Sequence, residues 1–379
     1  LGVDSDDGNY SLSAAELAAI NSSNTATVVL GDRAGVSEDV GRVVVTDSLT
    51  FAADCTDNLF IASLHAHCDS EVVFRKDSAV SAYSMELSVF SYSDIRLQSA
   101  ASLSLLGAGG GTENKLLLQA SYGCGCVDGT LFLHNDTVVA TNNDAVIDYY
   151  GRDLHIEPTA ILNASSSRLT VSERCSASYS MQVGGTTTTP GDGNTYSMNI
   201  LQPELARIHA TDLVLDSHNG SIYVSGLAQH SNMGGVSGGG IDIVASTLNG
   251  SHQTVTFGDA ATAFSSNDGG GVSVSAYRGI SVEQNVSTDD SDALSFHFTA
   301  GAMTVSPDVS VTTIGSGSDL SMTTSTVQPQ SVICNLPCSL RAQHSTSSVS
   351  LDAPLVLKRD SGQHSEFHLF AGNKFKCLS

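Results

Sequence analysis

Between Gly271 and Ser306 the sequence reads GVSVSAYRGISVEQNVSTDDSDALSFHFTAGAMTVS, and two phrases within it are built alike. Val272-Ser273-Val274 is followed by Gly279 and then Ile280-Ser281-Val282, while Leu294-Ser295-Phe296 is followed by Gly301 and then Met303-Thr304-Val305. In both, the glycine lies seven residues after the first apolar position, and the phrases begin 22 residues apart. Leu213-Val214-Leu215, Gly220 and Ile222-Tyr223-Val224 make a third copy. Apolar-x-apolar triplets have the period of two that a strand with one buried face requires. A glycine between them marks a corner where the chain needs positive φ. A phrase repeated at fixed offset is the signature of a repeat architecture.

Working outward, looser versions occur at Leu87, Ile95 and Leu103, which step by eight, and at Leu131, Leu154 and Leu169. A repeat near 20 residues, with short strands and glycine corners, predicts an all-β parallel β-solenoid in which equivalent strands pair from one turn to the next. A β-sandwich, which also uses short strands at 8–12-residue spacing, is the alternative. The one helical pattern is Ser13 to Ile20, with Ser13 as cap and Glu16 three residues on, expected to cover the first turn. The expected division is an entry segment over 1–27, a solenoid over 28–325, and a cysteine-containing cap or docking element over 326–379. The stretches 184–191 and 234–240 read as loops leaving a turn.

Composition fits a thin repetitive interior. Apolar residues make up 41% of the 379, aromatics only 6%, Trp is missing, and charged residues stop at 15%, with Ser, Thr and Gly in their place. The formal charge of −23 repels phosphate backbones and anionic lipid heads, which argues against nucleic-acid and membrane-surface binding. No apolar run nears the roughly 20 residues of a membrane span. The start at Leu1, without Met or an apolar signal segment, reads as a processed, soluble product.

The opening Tyr10-Ser11-Leu12-Ser13-Ala14-Ala15-Glu16-Leu17-Ala18-Ala19-Ile20, then Val28-Val29-Leu30-Gly31-Asp32 and Gly41-Arg42-Val43-Val44-Val45, resembles the entry into the β-helix of filamentous-haemagglutinin-like surface proteins. The later Gly-x-(Ile/Leu)-x-Val wording is similar to their degenerate turns. That resemblance implies a right-handed parallel β-helix exported to a cell surface. Cysteines set the chain apart from the bacterial proteins of this type, and the reading becomes a eukaryotic, glycosylated surface protein of similar build.

Eight cysteines (Cys55, Cys68, Cys124, Cys126, Cys175, Cys334, Cys338 and Cys377) and seven N-x-[ST] sequons (Asn9, Asn21, Asn135, Asn163, Asn219, Asn249 and Asn285) point to an oxidising, secretory origin. Cys55 with Cys68 closes a local loop, Cys175 is one candidate for Cys124 or Cys126, and Cys334 either joins Cys338 or engages Cys377. Sequence leaves the pairing open. Calcium candidates are Asp4 and Asp6 in one acidic turn and Asp289, Asp290 and Asp292 in another, since clustered carboxylates suit a hard cation. His65 and His67 share a strand face beside Cys68, a possible zinc pair that reads better as surface histidines. Gly235-Val236-Ser237-Gly238-Gly239 matches a nucleophile elbow in letters only, because a strand rather than a helix follows. Asp144 with Asp148, or Asp289 with Asp290, could be cast as the carboxylate pair of a glycosidase, but a chain with no Trp and eleven Arg supplies poorly the basic and aromatic residues that would grip an acidic sugar chain.

These readings converge on a non-enzymatic, secreted, disulfide-stabilised glycoprotein without a required cofactor, a structural subunit of an extracellular filament, appendage or cell coat. Its expected partners are further copies of itself or other extracellular structural proteins. Lys374 and Lys376 at one end oppose Asp4, Asp6 and Asp7 at the other, as a head-to-tail contact requires. Alternatives are a monomeric adhesin or glycan-binding β-helix, using loops such as 184–196, and a polysaccharide-degrading β-helix enzyme.

Overall fold

A computed structural model describes residues 27–31, 42–51, 58–63, 70–83, 86–106, 114–122, 129–142, 145–164, 167–174, 179–188, 190–218, 220–227, 240–245, 253–264, 271–288, 293–325, 329–359 and 366–377. The chain forms two compact units, one of 1–175 with 207–211 and the other of 176–206 with 212–379. The expected helix over Ser13 to Ile20 lies outside the described residues.

In the first unit the strands serve three ladders in rotation. Glu86–Ser91, Ile95–Leu97 and Ser102–Leu105 enter ladders one, two and three, and Lys115–Gln119 returns to the first. Ladder one runs Thr27–Gly31, Asn58–Ser63, Glu86–Ser91, Lys115–Gln119, Val146–Gly151, Arg168–Glu173. Every described pairing is parallel, so the antiparallel pairing that a β-sandwich rests on is not what these residues form. Leu87, Ile95 and Leu103, which step by eight, are therefore buried positions on three different ladders.

Register stacks like on like. Leu59, Leu87, Leu116, Ile147 and Leu169 are successive partners and all fully buried. The parallel row of Leu30, Ile61, Val89, Leu118, Tyr149 and Val171 puts one phenol into an aliphatic column. Its hydroxyl accepts from the Leu131 N–H at 3.1 Å and donates to the Asp153 carbonyl, so the only polar atom of the column is satisfied. Burial holds this phenol well above the usual tyrosine pKa.

The second unit has the same plan. Leu213, Ile241, Val272, Leu294, Leu320 and Val349 are register partners, buried in turn. Val272 pairs with Leu294, and Ile280 with Met303, as the repeated phrases require. Gly279 has φ +138, and a Cβ there would meet the Ala302 carbonyl at 2.6 Å; a Cβ on Gly301 would lie 1.4 Å from the Arg278 carbonyl. The glycine is thus fixed as much by the close approach of neighbouring corners as by positive φ.

Three features differ from the sequence reading. The step between register partners is 22 residues from Val272 to Leu294 but 31 from Ile241 to Val272, so the period is set by loop length and is not constant near 20. A strand at Gly240–Ala245 intervenes between the Leu213 and Val272 phrases. Residues 176–206 make an excursion in which Tyr179–Val183 lies between Met198–Ile200 and Ser221–Val224, followed by the short helix Gln202–Leu205. Strands from Val332–Asn335 to Lys374–Cys377 pair in register with the ladders of this unit.

Candidate functional site

Alternation turns every second residue outward, and the chemistry of the molecule lies in those rows and in the loops between strands. On the second ladder of the first unit, register places Arg96 beside Phe132, and Phe132 beside His155. Glu71 bridges Arg42 (2.8 Å) and Arg96 (3.1 Å), and Arg96 also pairs with Asp94. Asp94 accepts from the N–H groups of Gly129 (3.1 Å) and Thr130 (2.8 Å), so this carboxylate ties a charge pair to a loop backbone. The Arg96 guanidinium sits 4.1 Å from the Phe132 ring centroid. One row further, His134 Nδ1 lies 2.9 Å from Glu157, whose other oxygen accepts from the Asn135 N–H at 2.7 Å; both contacts pull the Glu157 pKa down.

Asp148, on the first ladder, acquires through register a basic neighbour distant in sequence. Lys115 Nζ stands 2.7 Å from its carboxylate, Tyr150 donates to it at 3.3 Å, and Arg174 lies 3.5 Å from the Tyr150 ring centroid. Burial works against the Lys115 ammonium, but the hydrogen bond and charge of Asp148 outweigh it and raise its pKa. Burial and the Asp148 charge raise Tyr150 as well. A carboxylate neutralised in this way is a structural ion pair, and Asp144, its suggested partner, lies outside the described residues.

In the second unit the excursion builds a cavity. Leaving Val183, the chain turns through Gly184 (φ +81) and Gly185 (φ +66), whose N–H groups donate to Ile200 and Gly226 carbonyls. The Gln182 side chain, 1% exposed, donates through Nε2 to the Thr187 carbonyl at 2.7 Å and to Ser225 Oγ at 3.1 Å, while its Oε1 has no partner among the described residues. Asp259 accepts from the Gly191 N–H (2.8 Å) and the Tyr223 hydroxyl (2.9 Å), fastening the loop to the ladder. Tyr196 packs on Tyr223 with ring centroids 5.8 Å apart and donates to Asp192. Burial and the Asp259 carboxylate push the Tyr223 phenol far up. Between these groups opens a cavity of about 320 Å³ lined by Thr186, Thr187, Gln202, Ser225, Asp259 and Ala260, among others. A second cavity, about 510 Å³, lies by Arg341, His368 and Phe370.

Of the cysteines, Cys334 and Cys338 are joined, with Cα atoms 6.1 Å apart, across the Leu336-Pro337 turn. Cys377 is the last residue of strand Lys374–Cys377, and Cys55, Cys68, Cys124, Cys126 and Cys175 fall outside the described residues. Asn135 and Asn285 are exposed and Asn163 is half-buried; Asn285 accepts from the N–H and hydroxyl of Ser310. Asn9, Asn21, Asn219 and Asn249, the calcium candidates Asp4, Asp6, Asp289, Asp290 and Asp292, and His65 and His67 are outside the described residues. Among the described residues no group of three or more His, Cys, Asp or Glu is placed to hold a metal ion.

The sequence alone named 184–196 only as a loop of the adhesin alternative and did not mark Gln182, Ser225 or Asp259, which come to that loop from three strand regions. No family model matches the chain, and no curated protein or solved structure is similar enough to count as a match.

Proposed function

We propose that the ladders are the faces of a right-handed parallel β-helix, and that the protein is a structural subunit of an extracellular filament, appendage or cell coat that assembles head to tail. The observation that carries this reading is the parallel register within each unit, where each set of strands repeats the bonding of the set before it. Such stacking adds length without needing a new core. The right hand follows from the general preference of parallel crossovers.

Charge supports the same reading. Residues 338–379 carry five Lys and Arg against three Asp and Glu, in a chain of −23. Acidic sides keep rods apart, while a less acidic end attracts the acidic start of another copy. An end-to-end contact of this kind is heterologous and grows into a fibre unless it closes. The sequons and the Cys334–Cys338 bond favour an oxidising, extracellular setting.

Negative-stain microscopy of the native protein without reductant, over a concentration series, tests the assembly. The expected images are filaments of uniform width whose length grows with concentration. Single particles of one length throughout would sink the filament reading.

A further inference from the structure

The cavity of the second unit has a chemistry that the assembly reading does not use. The polar side chains of its described lining residues are those of Thr186, Thr187, Ser225, Gln202 and Asp259, with no Lys, Arg or His among the described lining residues. Hydroxyls and an amide both donate and accept, whereas a carboxylate only accepts. A ligand that satisfies this set must itself offer several groups that donate and accept, and must offer a donor to Asp259. Anions fail the last condition and meet a carboxylate with no compensating cation.

Two further observations indicate a built site. Gln182 lies directly beneath the lining, since both acceptors of its Nε2, the Thr187 carbonyl and Ser225 Oγ, belong to lining residues. Gln182 thus braces two of the lining residues from below, while its Oε1 is buried and finds no partner among the described residues. The Asp259 oxygen that faces the loop is already occupied by Gly191 and Tyr223, so the carboxylate is held in place by the fold before any ligand arrives. Ala260 and Ala261 are the apolar side chains among the described lining residues.

We propose that this cavity is a subsite for one uncharged sugar ring, bound through its hydroxyl groups. About 320 Å³ lies at the lower end of the range for small-molecule sites, suited to a single ring and not to an extended chain. Vicinal hydroxyls match the mixture of Asp259, Gln202 and threonine hydroxyls, and a C–H face of the ring matches Ala260 and Ala261. This inference does not depend on assembly.

Saturation-transfer NMR on the full chain tests it with methyl glucopyranoside, methyl galactopyranoside and methyl mannopyranoside, against glucuronate and calcium chloride as counter-probes. At least one neutral pyranoside should saturate, and D259N should weaken it at least tenfold. Because Asp259 also anchors Gly191 and Tyr223, Q202A and T186V give an independent reading from side chains that bear no described part of that anchor. Each should weaken binding about threefold or more with an unchanged melting temperature. No saturable neutral sugar, equal binding in Q202A and T186V, or tighter binding of glucuronate would each overturn the proposal. Loss of the sugar signal on adding calcium chloride, as a competitor for Asp259, would overturn it too.

Discussion

The inward rows of the two units are interchangeable in kind, and their outward rows are not. Outside the first unit, Arg42, Glu71, Arg96 and Asp94 form a linked charge network, with Lys115–Asp148 and His134–Glu157 on other rows. In the second unit the corresponding alternation yields Ser273, Ser295, Ser321 and Ser350 as register partners, with Ser321 donating to Ser295 at 2.9 Å. Parallel stacking constrains only the inward residue, because that one must fill space against its neighbours above and below. The outward residue is left to set the character of the surface. One scaffold therefore presents a linked charge network on a row of the first unit and a run of four serines, next to Asp242, on a row of the second, the unit that also holds the cavity lined by Asp259 and hydroxyl-bearing residues.

The sharpest way to break this comparison is to attack the rows held to be equivalent. Phe296→Ala in the second unit should cost about 3–5 kcal/mol and Leu116→Ala in the first about 2–5 kcal/mol, each read from denaturant midpoints. A cost under about 1 kcal/mol for either would mean that its row is not packed and that the two interiors differ after all.

The outward rows should then separate. Asp94→Ala strands two backbone N–H groups and leaves Arg96 with Glu71 as its remaining carboxylate, and the Asp94 side chain is only 9% exposed. We expect a loss of about 2–3 kcal/mol. Ser295→Ala, on the hydroxyl row, removes one neutral hydrogen bond at the surface and should stay within about 0.5–1 kcal/mol. Equal losses at the two positions would erase the distinction.

Much of the inward pattern was legible. The offset of seven to Gly279 and Gly301, and the 22-residue step from Val272 to Leu294, are the corner and the register of adjacent strands. The strand at Gly240–Ala245 was legible as a strand but not as a partner, because a longer connection separates it from Val272 and breaks the period. Outward chemistry was much harder to read. Lys115 and Asp148 are 33 residues apart, and Gln182 and Ser225 are 43 apart, so only register brings them together. Loop lengths that vary from turn to turn cost the interior nothing, yet they hide such pairs from any fixed-offset search.

Tyr149 tests the inward comparison at a single atom. Tyr149→Phe keeps the ring in its aliphatic column but leaves the Leu131 N–H without its acceptor, and should cost about 1–2 kcal/mol. Burial raises its pKa, so the native phenol should resist ionisation while exposed tyrosines titrate. The sign follows: its contribution to stability is complete below the unfolded tyrosine pKa of about 10 and fades as pH rises toward the folded value. Alkaline unfolding that is delayed in Tyr149→Phe relative to its own neutral-pH stability would agree; an unchanged alkaline limb would not.

The smallest effect belongs to the exposed pair His134–Glu157, and it separates the two surfaces by pH. Hydrogen bonds from His134 and from the Asn135 N–H hold the Glu157 pKa below its ordinary value. Folding therefore favours the ionised form, and the contribution is complete above the unfolded glutamate pKa of about 4.3. As pH falls through the lower, folded value the contribution disappears, and Glu157→Gln should remove that part of the acid sensitivity while leaving the neutral-pH melting temperature nearly unchanged. Solvent and salt screen a pair this exposed, so added salt should flatten the same acid limb. In the second unit, Ser321→Ala should leave the acid limb where it is, since its hydroxyl has no proton to take up in that range and its bond runs to another hydroxyl. If Ser321→Ala shifted the acid limb as much as Glu157→Gln, the difference between the charged and the hydroxyl surface would not be electrostatic in origin.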